Sequence, residues 1–190
     1  MRASVLIVIA SLAVSLAGRA QGTVNFANAG AGLNAPVYID TISGALAGTG
    51  YMAQLLLDQS GSLVAVGNPA NFIGSAAPGY FNGGVITVNL VAPGAIGTFQ
   101  VLAWDSSTGI ATYAAAVTAV NSGLIHGGYS NPVTIATGGV GIPPSAPAAL
   151  VGLQPWSMYT IPEPPTALLG LLGAGALMLR HTLAPKKQLG

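Results

Sequence analysis

The chain has 190 residues, of which 52% are hydrophobic and only 5% charged, and it contains no cysteine. That composition excludes a disulfide framework, a thiolate nucleophile and a cysteine-ligated zinc site. It also argues against nucleic acid as a partner, since such affinity comes mainly from Lys and Arg neutralising phosphates, and Arg2, Arg19, Arg180, Lys186 and Lys187 all lie at the two ends of the chain.

The N-terminal end has a basic start, Met1-Arg2, continues through an apolar run from Val5 to Ala17, and closes on Gly18-Arg19-Ala20. A basic start, a short apolar core and a small-x-small site together predict a secretory signal peptide over residues 1–20, cut between Ala20 and Gln21. Export by the Sec translocon and cleavage by signal peptidase follow from that reading.

Residues 21–160 form the exported portion, of a size suited to one domain. Its side-chain charges are Asp40, Asp58 and Asp105. Gly, Asn, Pro and Ser punctuate it at short intervals, and between them lie β-rich runs. Thr23 to Asn28 alternates, with Val24 and Phe26 on one face and Asn25 and Asn28 on the other; Val85 to Leu90 alternates in the same way. Period two is the mark of a half-buried strand. Further strands are expected at Val37 to Thr41, Tyr51 to Leu57, Leu63 to Val66, Gly97 to Trp104, Ala111 to Val120 and Pro132 to Ala136, with a last one at Leu150 to Leu153 or Trp156 to Tyr159. Asp58-Gln59-Ser60-Gly61 and Asp105 to Gly109 read as hairpin turns, because Asp bonds its own backbone and Gly accepts positive φ. The alanines of Ala111 to Val120 suit a helix, but Thr112, Val117, Thr118 and Val120 favour a strand. The expected fold is all-β, a single antiparallel β-sandwich, with a signal helix before it and a transmembrane helix after it.

Catalytic signals are sparse in this portion. His126 is its one histidine, and it stands beside two glycines in a loop context, with no nucleophile elbow among the serines. The three aspartates are spread out and lack the spacing of a calcium loop; a glycosidase would need two of them flanking a bond. No catalytic residue, metal or cofactor is assigned. Trp104 and Asp105, at the end of Val-Leu-Ala-Trp-Asp, are the candidates for a ligand-binding surface, with core filling as the alternative for the ring.

Residues 161–190 say where the protein goes. Pro162, Glu163, Pro164 and Pro165 fix an extended strip that joins neither sheet nor helix. Thr166 is placed to cap a helix, and Ala167 to Leu179 carries no charge, which predicts a membrane helix over about 166–179. At roughly 1.5 Å per residue it is about 20 Å long, short against a hydrocarbon core of roughly 30 Å. Arg180, Lys186 and Lys187 follow as a membrane stop and place the C-terminus in the cytoplasm.

In these parts and their order the tail resembles the PEP-CTERM sorting signal of bacterial surface and secreted proteins. The resemblance implies recognition of Pro162, Glu163 and Pro164 by an exosortase-type membrane protease, with the helix as a transient anchor. Pro165 departs from the family, which usually has a small hydroxyl residue there, and the basic cluster is dispersed. The implied location is the inner membrane first and the cell surface or exterior afterwards. The resemblance implies association with exopolysaccharide; residues 21–160 also have no lysine, the residue that commonly blunts sheet edges, so the expected role is a non-catalytic surface or matrix protein associated with that polymer or with itself. A carbohydrate-active enzyme or sugar-binding module, using the Asp and aromatic residues of the sandwich, is the alternative.

Overall fold

A computed structural model of the chain describes residues 21–139 and 143–160. The expected signal segment and the whole sorting segment lie outside the described residues. Among the described residues no helix is long and apolar enough to cross a membrane.

The described chain is mostly β, with one short helix. Its strands, in order, are β1 (Gly22–Ala27), β2 (Ala29–Gly30), β3 (Leu33–Asn34), β4 (Val37–Ile39), β5 (Tyr51–Gln59), β6 (Ser62–Asn71), β7 (Asn82–Val88) and β8 (Ile96–Asp105). Helix α1 (Tyr113–Asn121) follows, and then β9 (Gly127–Tyr129), β10 (Val133–Ala136), β11 (Gly138–Gly139), β12 (Ala148–Ala149) and β13 (Trp156–Met158).

One sheet is built on β1. It pairs along one edge with β7, and along the other with β11 at Gly22 and Thr23 and then with β12 at Val24 and Asn25. The second sheet runs β6-β5-β8, with β10 and β9 taking successive halves of the free edge of β8. Val24, Phe26, Ile86 and Val88 of the first sheet share a core with Ala53, Leu55, Leu57, Phe99 and Val101 of the second. The sheets also meet at both margins. Phe72 bridges Phe81 on one side, and on the other β10 of the second sheet runs on through Thr137 into β11 of the first.

The two central strands of the second sheet, β5 and β8, are buried on both faces over part of their length, which explains the apolar runs there. Ala53 to Leu57 and Val101 to Trp104 are buried without interruption. Leu56, Leu102 and Trp104 point away from the main core and are covered by Ala116, Ala119 and Val120 of α1 and by Ile125. A strand covered on both sides has no solvent face to alternate toward.

Several expectations are corrected. Ala111 to Val120 is helical over Tyr113–Asn121 rather than a strand. Alanine's helix preference and the i, i+3, i+4 spacing of Ala116, Ala119 and Val120 outweigh the β-branched residues. Thr118 is accommodated by donating its hydroxyl to the Ala114 carbonyl, and the helix stops where Gly123 and Leu124 return their N–H groups to Val120 and Ala119. Asn28, expected outward, is fully buried. Not every pairing is antiparallel: β12 runs parallel to β1 and β13 parallel to β4, because the last segment comes back along the first strands after a long crossover. Of the two places offered for the last strand, Trp156–Met158 is the one that forms.

The molecule therefore has two ends. At one lie Gln21, the turn at Ser60 and Gly61, and Ile96 paired with Ala136. At the other lie Tyr51, paired with Asp105, and Gly127, paired with Trp104 and bridged to Tyr159. The described chain starts at the first end and leaves, at Thr160, from the second.

Candidate functional site

Most of the charge of the described residues gathers at the second end. Asp40 ends β4 with φ at 64°, a left-handed conformation that Asp tolerates better than most residues. Its backbone N–H donates to the Met158 carbonyl, which ties it to β13. Its carboxylate lies 3.0 Å from His126 Nε2. His126 in turn presents its carbonyl to the Asp105 N–H at 2.9 Å. Two loops far apart in sequence are thus clasped over the ends of β8 and β13.

Asp105 closes a turn on itself, accepting hydrogen bonds from the Ser107 N–H and the Ser107 hydroxyl. The turn expected at Asp105 to Gly109 is therefore present, but it leads into α1 rather than into a hairpin. Ser106 donates its hydroxyl to the Gly50 carbonyl. Tyr51 has its pKa raised above 10.0, first by burial and then by the nearby charges of Asp105 and Asp40.

A histidine held by an aspartate has the form of a base with its orienting group. Acyl transfer further requires a nucleophile within hydrogen-bond reach of the imidazole. The hydroxyls of Ser106 and Ser107 are turned to Gly50 and Asp105 instead. No group of three His, Cys, Asp or Glu side chains among the described residues is placed to hold a metal ion.

Trp104 does not present a stacking surface. Its ring is fully buried under α1, and its Nε1 donates to the Ile110 carbonyl at 2.8 Å. Of the two candidate ligand-binding residues only Asp105 reaches solvent. Asp58 stands at the opposite end, where its carboxylate accepts the Gly61 N–H and fixes the β5–β6 hairpin as expected.

A second feature, with no sequence signal, is an open cleft of about 620 Å³ where the edges of β6 and β7 diverge from the Phe72–Phe81 bridge. Gln21, Asn68, Thr87 and Asn89 line it together with glycines, Pro69 and the side chains of Val85 and Ile86. Every polar group there is an amide, a hydroxyl or backbone. The β6 edge is broken at this point, because Gly67, Asn68 and Pro69 all stand opposite the single residue Gln54. Gln54, buried, donates to the carbonyls of Val66, Gly67 and Leu55.

Gln21, expected to be the first residue after signal cleavage, is exposed and lies on this cleft. Its expected neighbour at the cut, Ala20, lies outside the described residues. So do the sorting residues Pro162, Glu163 and Pro164 and the stop residues Arg180, Lys186 and Lys187. Comparisons of the chain with protein-family models, with curated proteins and with solved structures find no match.

Proposed function

We propose that the chain is an exported, non-catalytic surface or matrix protein. In this reading it is carried out by its N-terminal signal, held at the membrane by the C-terminal helix, and released there by an exosortase-type protease acting near Pro162-Glu163-Pro164. The exported domain is a β-sandwich whose partner is an uncharged extracellular polymer, with neutral polysaccharide the best match.

The observation that carries the polymer reading is the absence of Lys and Arg from residues 21–160, combined with a cleft whose polar groups are those of Gln21, Asn68, Thr87 and Asn89. Amides and hydroxyls exchange hydrogen bonds with sugar hydroxyls without needing a counter-charge. Binding of this kind responds little to ionic strength, because no exposed ion pair is screened.

Intact mass and fractionation of the protein from its native cells, beside a Glu163→Ala variant, test the sorting reading. Loss of the tail near Pro162 in the wild type alone, with release to the surface, is the expected result. A tail retained in both leaves an anchored protein in which Pro-Glu-Pro is only a linker, and the sorting reading fails. For the polymer reading, co-sedimentation with neutral polysaccharide is expected to survive high salt and to weaken in an Asn68→Ala, Asn89→Ala double variant. Binding that disappears in salt would overturn it.

A further inference from the structure

Three exposed apolar side chains stand where the chain leaves the domain, while others, Ile96 and Leu90 among them, stand elsewhere on the surface. Leu124 is 76% exposed, Ile42 59% and Tyr159 53%. Their positions are tied together. Ile42 is two residues from Asp40 and Leu124 two from His126, the pair joined at 3.0 Å; Tyr159 exchanges backbone hydrogen bonds with Gly127 and follows Met158, which holds the Asp40 N–H. Tyrosine, with an apolar ring and a polar tip, is enriched at membrane interfaces.

The chain's own length decides what this end meets. Residues 161–166 separate Thr160 from the apolar run beginning at Ala167, and even fully extended they reach only about 25 Å. The strands of the second sheet, such as β8, are about 33 Å long at roughly 3.3 Å per residue. An anchored domain therefore keeps its Thr160 end within that reach of the lipid, while its Gln21 end can stand farther off. Asp40, two-thirds exposed, and Asp105 also stand at the near end, where no Lys or Arg accompanies them. Carboxylates in that position repel anionic headgroups and attract ammonium groups.

We propose that, while the chain is anchored, the end carrying Ile42, Leu124 and Tyr159 rests in the headgroup layer of the bilayer, with Asp40 and Asp105 facing the ammonium groups of ethanolamine-type lipids. The proposal rests on the membrane reading of the tail. The seating holds the cleft of Gln21, Asn68 and Asn89 outward.

The absence of cysteine makes the test direct. Full-length Ile42→Cys, Leu124→Cys and Ile96→Cys chains each receive a nitroxide label and are reconstituted into vesicles of phosphatidylethanolamine and phosphatidylcholine. Ile96, 73% exposed, lies at the far end and serves as the control. Collision with oxygen, relative to a water-soluble nickel complex, is expected to rise at least about twofold at positions 42 and 124, as for groups sunk a few ångströms into the interface, and to stay unchanged at 96. Chains that float with the vesicles but give positions 42 and 124 the same ratio as 96 overturn the seating alone. Chains that fail to float overturn the membrane reading and the seating with it.

Discussion

Asn28 joins parts of the chain that lie far apart in sequence. Its amide nitrogen donates to the carbonyls of Ala35 and Gly79, and its Oδ1 accepts the Phe81 N–H, each at 2.8 Å. All of this is buried, so removing the side chain leaves a donor and two acceptors without water to replace it. Asn28→Ala is expected to cost about 2–4 kcal/mol in urea denaturation. Asn28→Asp should cost as much, since a carboxylate keeps the bond to Phe81 but turns oxygen toward two carbonyls. Counting by two from Val24 and Phe26 puts Asn28 on their buried face, so its polarity rather than the alternation misplaced it. Its distant partners left no mark in the sequence, and Ala27 joins Phe26 and Asn28 in the interior where the register of β1 against β7 shifts between Asn25 and Ala27. The Asp40–His126 pair was invisible, its members 86 positions apart and no local pattern marking either. Asp58 was legible because its work is local: a carboxylate, a two-residue turn at Ser60 and Gly61, and a hairpin.

At the scale of elements, the contacts of β9 decide how the second sheet joins the rest. Its Gly128 lies against the Ser157 carbonyl of β13, and Gly127 lies against Val120 of α1. A methyl group at position 128 would meet backbone that has no alternative position without moving β13. Gly128→Ala is therefore expected to destabilise the domain by roughly 1–3 kcal/mol, read as a lowered denaturation midpoint. Alanine at Gly61, where nothing stands within reach of an added Cβ, tests a different cost, that of positive φ alone. The strands at Tyr51 to Leu57 and Gly97 to Trp104 were legible, but the apolar runs Leu55 to Leu57 and Val101 to Trp104 were not read as a cover on both faces. The covering element went unread because Val117, Thr118 and Val120 weigh toward a strand when taken alone. Only the packed partner, Trp104 with Leu102, shows why a helix wins there.

At the scale of the molecule, titration of residues 21–160 at high pH falls on tyrosine, since they contain no lysine or arginine. Tyr113 and Tyr51 have pKa values raised chiefly by burial, as has Tyr129, to which the Tyr113 charge adds. A pKa raised by folding means the native state holds the phenolic proton more tightly than the unfolded chain does. That contribution is complete below the unfolded value of 10.0 and is lost as pH rises through the folded values. Stability is expected to fall above about pH 10, and Tyr51→Phe together with Tyr129→Phe to reduce the fall. Denaturation midpoints at a series of alkaline pH values would show it, and a fall of equal size in the double variant would refute it.

The pairing scheme also sets an order of events for a chain that emerges N-terminus first. β1 finds its neighbours only at Asn82–Val88, Gly138–Gly139 and Ala148–Ala149, and β4 finds its own at Trp156–Met158. Contacts between early and late segments form late and slowly, because the loops between them must close first. The earliest strands accordingly remain without their full set of partners until nearly all of residues 21–160 have been made available. A fold arranged in this way closes only when its last strand, Trp156–Met158, is free to pair.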